Sequence, residues 1–214
     1  MDPVASARRD QSSIIEWGAA SVALGDPDDA GESGDLHVVV PFSERALVAV
    51  IDGLGHGPEA ASASGQAAEL LATGAQLSLV ALVESCHAGL RGTRGAVMSL
   101  ASFNALDDSM TWIAVGNVET LLLRADPAAG RRQESINARG GVVGYQLPPL
   151  RAAVLPVSAG DTLIMATDGI RRGFMTGASI RQRPQDLADA IMAHHRKESD
   201  DALVLVARYL GRTS

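Results

Sequence analysis

Lysine is nearly absent from this chain of 214 residues: Lys197 is the only one, and arginine supplies the rest of the 18 basic side chains. That scarcity excludes whole reaction classes. A P-loop requires a Gly-Lys-Ser/Thr tripeptide, and none is present. A Schiff-base enzyme or a kinase needs a lysine at a defined place, and only Lys197, close to the C-terminus, could serve. Cysteine is equally scarce. A single Cys86 permits no internal disulfide and fits a reducing cytoplasm, and its place on a helical pattern makes it a small core residue. Aromatics make up 3% of the chain, and Trp17 and Trp112 are expected to fill the core. No apolar run reaches the roughly 18 residues that a membrane span needs. The first residues, "MDPVASARRDQSS", lack the apolar stretch of a secretory signal and read as a flexible arm over 1–13, ahead of a single domain over 14–212. The net charge is −7, with no basic stripe, which argues against nucleic acid or an anionic membrane as a partner.

What is present is a regular alternation of apolar strands and turn signals. Strands are expected over Trp17–Leu24, Leu36–Pro41 and Ala46–Ile51, the first two separated by the Asp-, Gly- and Ser-rich "GDPDDAGESGD". Pro58 suits the first turn of a helix, Ala63, Ala67, Leu70 and Leu71 recur at helical spacing, and Gly74 ends the run. Ser78 is a candidate N-cap for a second helix that buries Leu79, Leu82, Val83, Cys86 and Leu90. "AVMSLASFNA", "SMTWIAVG" and "VETLLLRAD" read as an antiparallel meander, "RAAVLPV" and "DTLIMATDG" as two more strands. Pro184 opens a last helix, and "ALVLVARYL" is the final strand. Clustered strands with clustered helices make this an α+β chain.

Four of these strand ends carry aspartate. Asp52 ends a wholly apolar strand and is followed by three glycines in five residues, Gly53, Gly55 and Gly57. "TDG" repeats the device at Asp168, Asp35 stands at the entrance of another strand, and Asp200 and Asp201 open the last one. Any one of them could be an ordinary turn residue. If the four ends meet, their carboxylates repel unless cations neutralise them. Oxygen donors without cysteine or histidine suit Mg2+ or Mn2+ rather than zinc. Glycine beside such a ligand would let a backbone carbonyl approach the ion.

The order of these pieces resembles the PPM family of metal-dependent serine/threonine protein phosphatases, most closely its small bacterial SpoIIE/RsbU/RsbX branch. The residues that carry the likeness are "SGD" (Ser33–Asp35), "AVIDGLGHGPEAA" (Ala49–Ala61), "VGN" (Val115–Asn117), "GVVGYQLP" (Gly141–Pro148), "ATDGI" (Ala166–Ile170) and "SDDALVLVA" (Ser199–Ala207). "VGN" followed by "GVVGY" looks like the RsbX type. The resemblance implies a four-layer α/β/β/α sandwich of two antiparallel sheets flanked by helices, PP2C-like. It implies two divalent ions, Mn2+ or Mg2+. Asp52 would bridge them, the Gly53 carbonyl would ligate the second, and Asp168 and Asp200 would complete the first, acting through water held by the metals. Asp35 would hold such waters or ligate directly, and Asp201 is the alternative to Asp200. The substrate class implied is a phosphorylated STAS-domain protein of a stressosome or anti-sigma-factor circuit, in the cytoplasm.

Two features depart from the larger members of that family. The histidine that follows their Asp-Gly pair, taken there as proton donor, is replaced by Leu54. His56, two residues on, either donates a proton or braces its tight turn, with the brace expected. The phosphate-gripping arginine has no counterpart, and Arg171 and Arg172 are candidates by position only, read as a solvated pair. His37 is expected on the surface, as are His194 and His195 on the last helix. Gly140, Gly141 and Gly144 suggest a tight loop near the site. The rival function is a non-catalytic pseudophosphatase that holds a phosphoprotein. A receiver-like phosphoacceptor domain is disfavoured because it needs alternating βα units and a lysine late in its sheet.

Overall fold

A computed structural model describes residues 13–24, 32–126, 133–136, 138–175 and 179–212. The N-terminal arm expected over 1–13 falls, except for residue 13, outside the described residues, as do residues 25–31 of the loop expected over 25–35. Among the described residues ten strands and three helices follow in the order β1 (Ile15–Val22), β2 (Asp35–Phe42), β3 (Arg45–Gly53), α1 (Pro58–Thr73), α2 (Leu79–Gly89), β4 (Ala96–Asn104), β5 (Ser109–Val115), β6 (Glu119–Leu123), β7 (Gln133–Ile136), β8 (Ala153–Pro156), β9 (Thr162–Ala166), α3 (Pro184–His195) and β10 (Ala202–Tyr209). They build two five-stranded sheets, β1-β10-β9-β6-β7 and β2-β3-β4-β5-β8, in which every pairing is antiparallel.

Three apolar layers hold these sheets. The middle one lies between the sheets and contains Val48, Val50, Phe103, Trp112, Leu122, Leu163, Met165, Leu203 and Leu205. A second joins β3, β4 and β5 to α1 and α2 through Ile51, Leu71, Leu82, Cys86 and Met98. The third seats α3 on β9 and β10 through Ile164, Leu187, Ile191 and Val204. Strands such as β3, buried on both faces, therefore read as continuous apolar runs rather than alternating ones. The result is the α/β/β/α sandwich expected from the resemblance.

Helix ends follow the sequence signals. Pro58 occupies the first turn of α1 after Gly57, and the Ser78 side chain accepts from Ala81 N–H at the start of α2. The first turns of the buried face of α1, Ala60, Ala63, Ser64 and Ala67, are small residues that bring the helix close to the sheet, and Leu71 completes the face. Cys86 is buried, and burial pushes its thiol up to about 12, in keeping with a core residue.

Several expectations need correction. The "meander" is a hairpin followed by a crossover: β4 and β5 pair, but β6 leaves for the other sheet, where it lies between β9 and β7. A buried bond marks that crossing, Ser99 Oγ on β4 to Thr120 Oγ1 on β6 at 2.9 Å, with Trp112 Nε1–H donating to Ser99 Oγ at 2.9 Å. β1 starts two residues earlier than expected. β7 was not foreseen. His37 is not a surface residue: it is half-buried, 5.6 Å from the Trp17 ring, and burial lowers its pKa. Trp17 is itself only half-buried at the edge of the middle layer, whereas Trp112 is buried.

Candidate metal centre

Antiparallel pairing gathers the carboxylates. The start of β2 lies beside the end of β3, with Asp35 directly opposite Asp52. The end of β9 likewise lies beside the start of β10, where Ala166 faces Val204, so Asp168 and Asp200 flank that junction. Stacking of the two sheets brings both junctions to one end of the sandwich. Asp35, Asp52, Asp168, Asp200 and Asp201 there line a single cavity of about 460 Å3, together with Leu24, Leu54, Gly55, His56, Val97, Asn117, Val142 and Ser199.

Two bonds tie the sheets together at this end. Thr167 Oγ1 donates to Asp35 Oδ2 at 2.7 Å and accepts from Leu203 N–H at 2.9 Å. Asp201 has both carboxylate oxygens engaged by backbone, with Leu24 N–H at 2.6 Å and Gly34 N–H at 2.7 Å. Asp200 accepts only the N–H of Asp201, at 3.0 Å, which leaves it facing the cavity. Asn117 Nδ2 donates to Asp168 Oδ2 at 2.8 Å, and Lys197 Nζ donates to the Asp168 carbonyl. The one lysine thus stands at the rim of the site. Asn117, Thr167 and Lys197 are site-shaping residues that residue-type reasoning did not assign. The signals were present, since Asn117 closes "VGN" and Thr167 precedes Asp168.

The two Asp-Gly glycines serve close packing. A Cβ on Gly53 would stand 2.3 Å from the Ala60 carbonyl oxygen, and one on Gly169 would stand 1.8 Å from that of Asp201. Both glycines therefore let backbone segments lie against the strand ends that carry Asp52 and Asp168. That is a different reason for glycine from the approach of a carbonyl to an ion.

Burial first, and neighbouring like charges second, raise the carboxyls of this cluster. Burial, reinforced by Asp201, Asp168 and Asp200 and opposed by the Thr167 bond, pushes the Asp35 carboxyl up to about 7. Asp52 rises to about 8, from burial first and then from Asp35, Asp168, Asp200 and Asp201. Asp200 is also raised, by burial and Asp168, although the Asp201 N–H and Lys197 pull it down. Carboxylates held this way favour a proton or a cation. Among the described residues no three acidic, histidine or cysteine groups stand close enough to enclose one ion as their side chains are placed. The donor chemistry nevertheless fits hard divalent cations, because it is oxygen only and carries excess negative charge.

The remaining candidates lie apart or stand free. His56 lines the cavity, is exposed, and makes no hydrogen bond to any described residue, so the expected brace has no bond to act through. Arg171 and Arg172 are exposed and do not line the cavity. His194 is exposed and its ring bonds the Ala190 carbonyl, one helical turn back. No helix among the described residues is long and apolar enough to cross a membrane.

A sandwich with aspartates gathered at one end is the architecture of PP2C-type phosphatase domains, and comparison with known proteins agrees. Residues 43–210 match the family model for stage II sporulation protein E, and the chain belongs to that SpoIIE family. It is homologous to the phosphoserine phosphatase RsbX of Bacillus subtilis (strain 168), 29% identical over 89 residues, a stretch covering 42% of this chain and 45% of that relative. The match thus spans under half the length of that curated protein. A solved structure from work on the bacterial stressosome, a modular system adapted to control secondary messenger signaling, is 31% identical, covering 91% of this chain and 99% of that one, with a TM-score of 0.81. RsbX in complex with magnesium (18% identity, TM-score 0.79, covering 91% and 95%) and the PP2C domain of SpoIIE from Bacillus subtilis (21%, TM-score 0.74, covering 94% and 65%) share the fold.

Proposed function

We propose that the protein is a metal-dependent phosphatase that hydrolyses phosphoserine or phosphothreonine on a regulatory partner, a STAS-domain protein of a stressosome or anti-sigma-factor pathway, in the cytoplasm. The observation that carries this reading is the meeting of Asp35, Asp52, Asp168 and Asp200 in one cavity, with Asp35 and Asp52 raised to about 7 and 8. Asp52, the Gly53 carbonyl, Asp168 and Asp200 would hold two ions, Mn2+ or Mg2+, with Asp35 beside them. Such ions, when bound, lower the pKa of a water and offset charge on the phosphoryl oxygens. Asp201 is assigned as a brace, because both of its oxygens already accept backbone N–H groups. Thr167 orients Asp35, and Asn117 orients Asp168. His56 stands free at the cavity wall and is assigned the delivery of a proton to the departing serine oxygen, the place that Leu54 cannot fill.

Phosphate release from a phosphorylated STAS-domain protein, measured with and without added Mn2+, tests the reading. Release that depends on the metal and stops with EDTA supports it. Tight binding of the phosphoprotein with no release under any metal would instead favour the pseudophosphatase.

A further inference from the structure

The segments that border Gly55, Asn117 and Val142 of the cavity carry basic side chains, unlike the acidic floor. Val142 lines the cavity and belongs to a turn that is laced to its neighbours. Val142 and Gln146 exchange backbone bonds of 2.9 and 2.8 Å, and Val143 pairs with Ala96. Gly144, with φ +97°, rests on Leu90, and its N–H donates to His87 Nδ1 at 3.0 Å. Arg91 and Tyr145 are the chain neighbours of that Leu90–Gly144 contact, and Tyr145 is 83% exposed. Arg94 lies against Gly55, whose missing Cβ would fall 2.6 Å from Arg94 Nη1. Glu59 takes the Nε edge of that guanidinium, leaving Nη1 and Nη2 without a described partner. Arg139 pairs by its backbone with Val115 and Gly116, one residue from Asn117 of the cavity. Arg91 and Arg139 are exposed, and their side chains bond to no described residue.

We infer that this rim, Arg91, Arg94, Arg139 and Tyr145, is the docking surface for an acidic face flanking the phosphoserine of the partner. The inference rests on the phosphatase reading and names what its substrate looks like. A protein that delivers a phosphoserine to the cavity covers about 800 Å2 around it, a footprint that takes in neighbours of the lining segments. Within it, the floor with its ions receives the phosphate, and the arginines beside it attract acidic flanking sequence. Arg91 and Arg139, without a side-chain partner among the described residues, the Nη edge of Arg94, whose Nε is taken by Glu59, and the exposed Tyr145 ring match carboxylates flanking a small apolar contact. On a chain of net charge −7, the local sign selects orientation as well as partner.

Phosphoserine peptides of equal length, flanked by glutamates, by lysines, or by glycine and serine, test it with Mn2+ present. Both kcat/KM and peptide binding by fluorescence anisotropy are read. The glutamate-flanked peptide should be preferred over the lysine-flanked one by about tenfold, a preference that shrinks as ionic strength rises. Arg91→Glu combined with Arg139→Glu should bring that ratio close to one, and Tyr145→Ser should weaken binding of all the peptides. These positions are exposed, so an unchanged melting temperature should accompany each effect. Equal use and binding of the peptides by the wild type, or a ratio unmoved in the charge-reversed protein, overturns the inference while leaving the phosphatase reading intact. Acid-selective binding with no hydrolysis of any peptide would support the docking surface and sink the phosphatase reading.

Discussion

Asp52 shows how far a single position controls the site. Its carboxyl is raised to about 8 and lies directly opposite Asp35, raised to about 7. Both pKa values exceed the unfolded value of 3.8, so the folded protein binds more protons than the unfolded chain between about pH 4 and 8. Stability of the metal-free protein should therefore be full below about pH 4 as far as these groups go, and should fall as pH rises toward 8. Melting curves across that range, in EDTA, check the slope. Asp52→Asn removes one charge and keeps the shape. It should flatten the slope, melt higher than wild type in EDTA at pH 8, and lower turnover by orders of magnitude. His56 offers a second test at this scale. General-acid help is worth about 10²–10⁴-fold and matters most for a poor leaving group. His56→Gln should slow hydrolysis of a phosphoserine peptide at least tenfold more than that of p-nitrophenyl phosphate, with an unchanged melting temperature. An equal loss on both substrates with a lower melting temperature would return His56 to the bracing role.

Elements decide where those residues meet, and here the sequence was legible in part. Helices were readable because Pro58, Ser78 and Pro184 mark starts and the apolar spacing is helical. The strand ends bearing Asp35, Asp52 and Asp168 were readable because buried strands stop abruptly at a charge. Sheet membership was not, since the apolar pattern of β6 is the same whether it faces β5 or β9. β7, "QESI", carries too little apolar pattern to announce itself. His37 was misplaced because alternation tells which residues share a face, not which face lies between two sheets. What distinguishes Asp200 from Asp201 is the pair of backbone bonds that Leu24 and Gly34 make to Asp201, which no sequence pattern shows. Two contacts give predictions at this scale. Gly169→Ala would place a Cβ 1.8 Å from the Asp201 carbonyl oxygen, forcing β10 away from the end of β9. It should cost on the order of 1–3 kcal/mol or more of stability, read by urea unfolding. Thr167→Val leaves Asp35 and Leu203 N–H without their partner and should cost about 1–3 kcal/mol, with weaker metal binding in calorimetry.

At the scale of the molecule, the middle apolar layer joins the two sheets, and Asp201 and Thr167 add polar ties between them at the cavity end. Mn2+ or Mg2+ should raise the melting temperature, because ligand that binds only the native state stabilises it. The gain should grow between pH 6 and 8, as protons leave Asp35 and Asp52 to make way for metal.

Strand order also sets a schedule. β10 lies between β1 and β9, with Trp17 facing Ala207. During synthesis β1 emerges early and waits without its neighbour until nearly all of the described chain has been made. Pairing across so long a loop is slow, and a lone apolar strand is exposed to association in the meantime. Asp200, just ahead of β10, comes off the ribosome with it, so a growing chain cannot complete the carboxylate set. The meeting of the aspartates and the closure of the sheet that carries Asp168 and Asp200 are one late event, so an unfinished chain would lack the proposed metal centre.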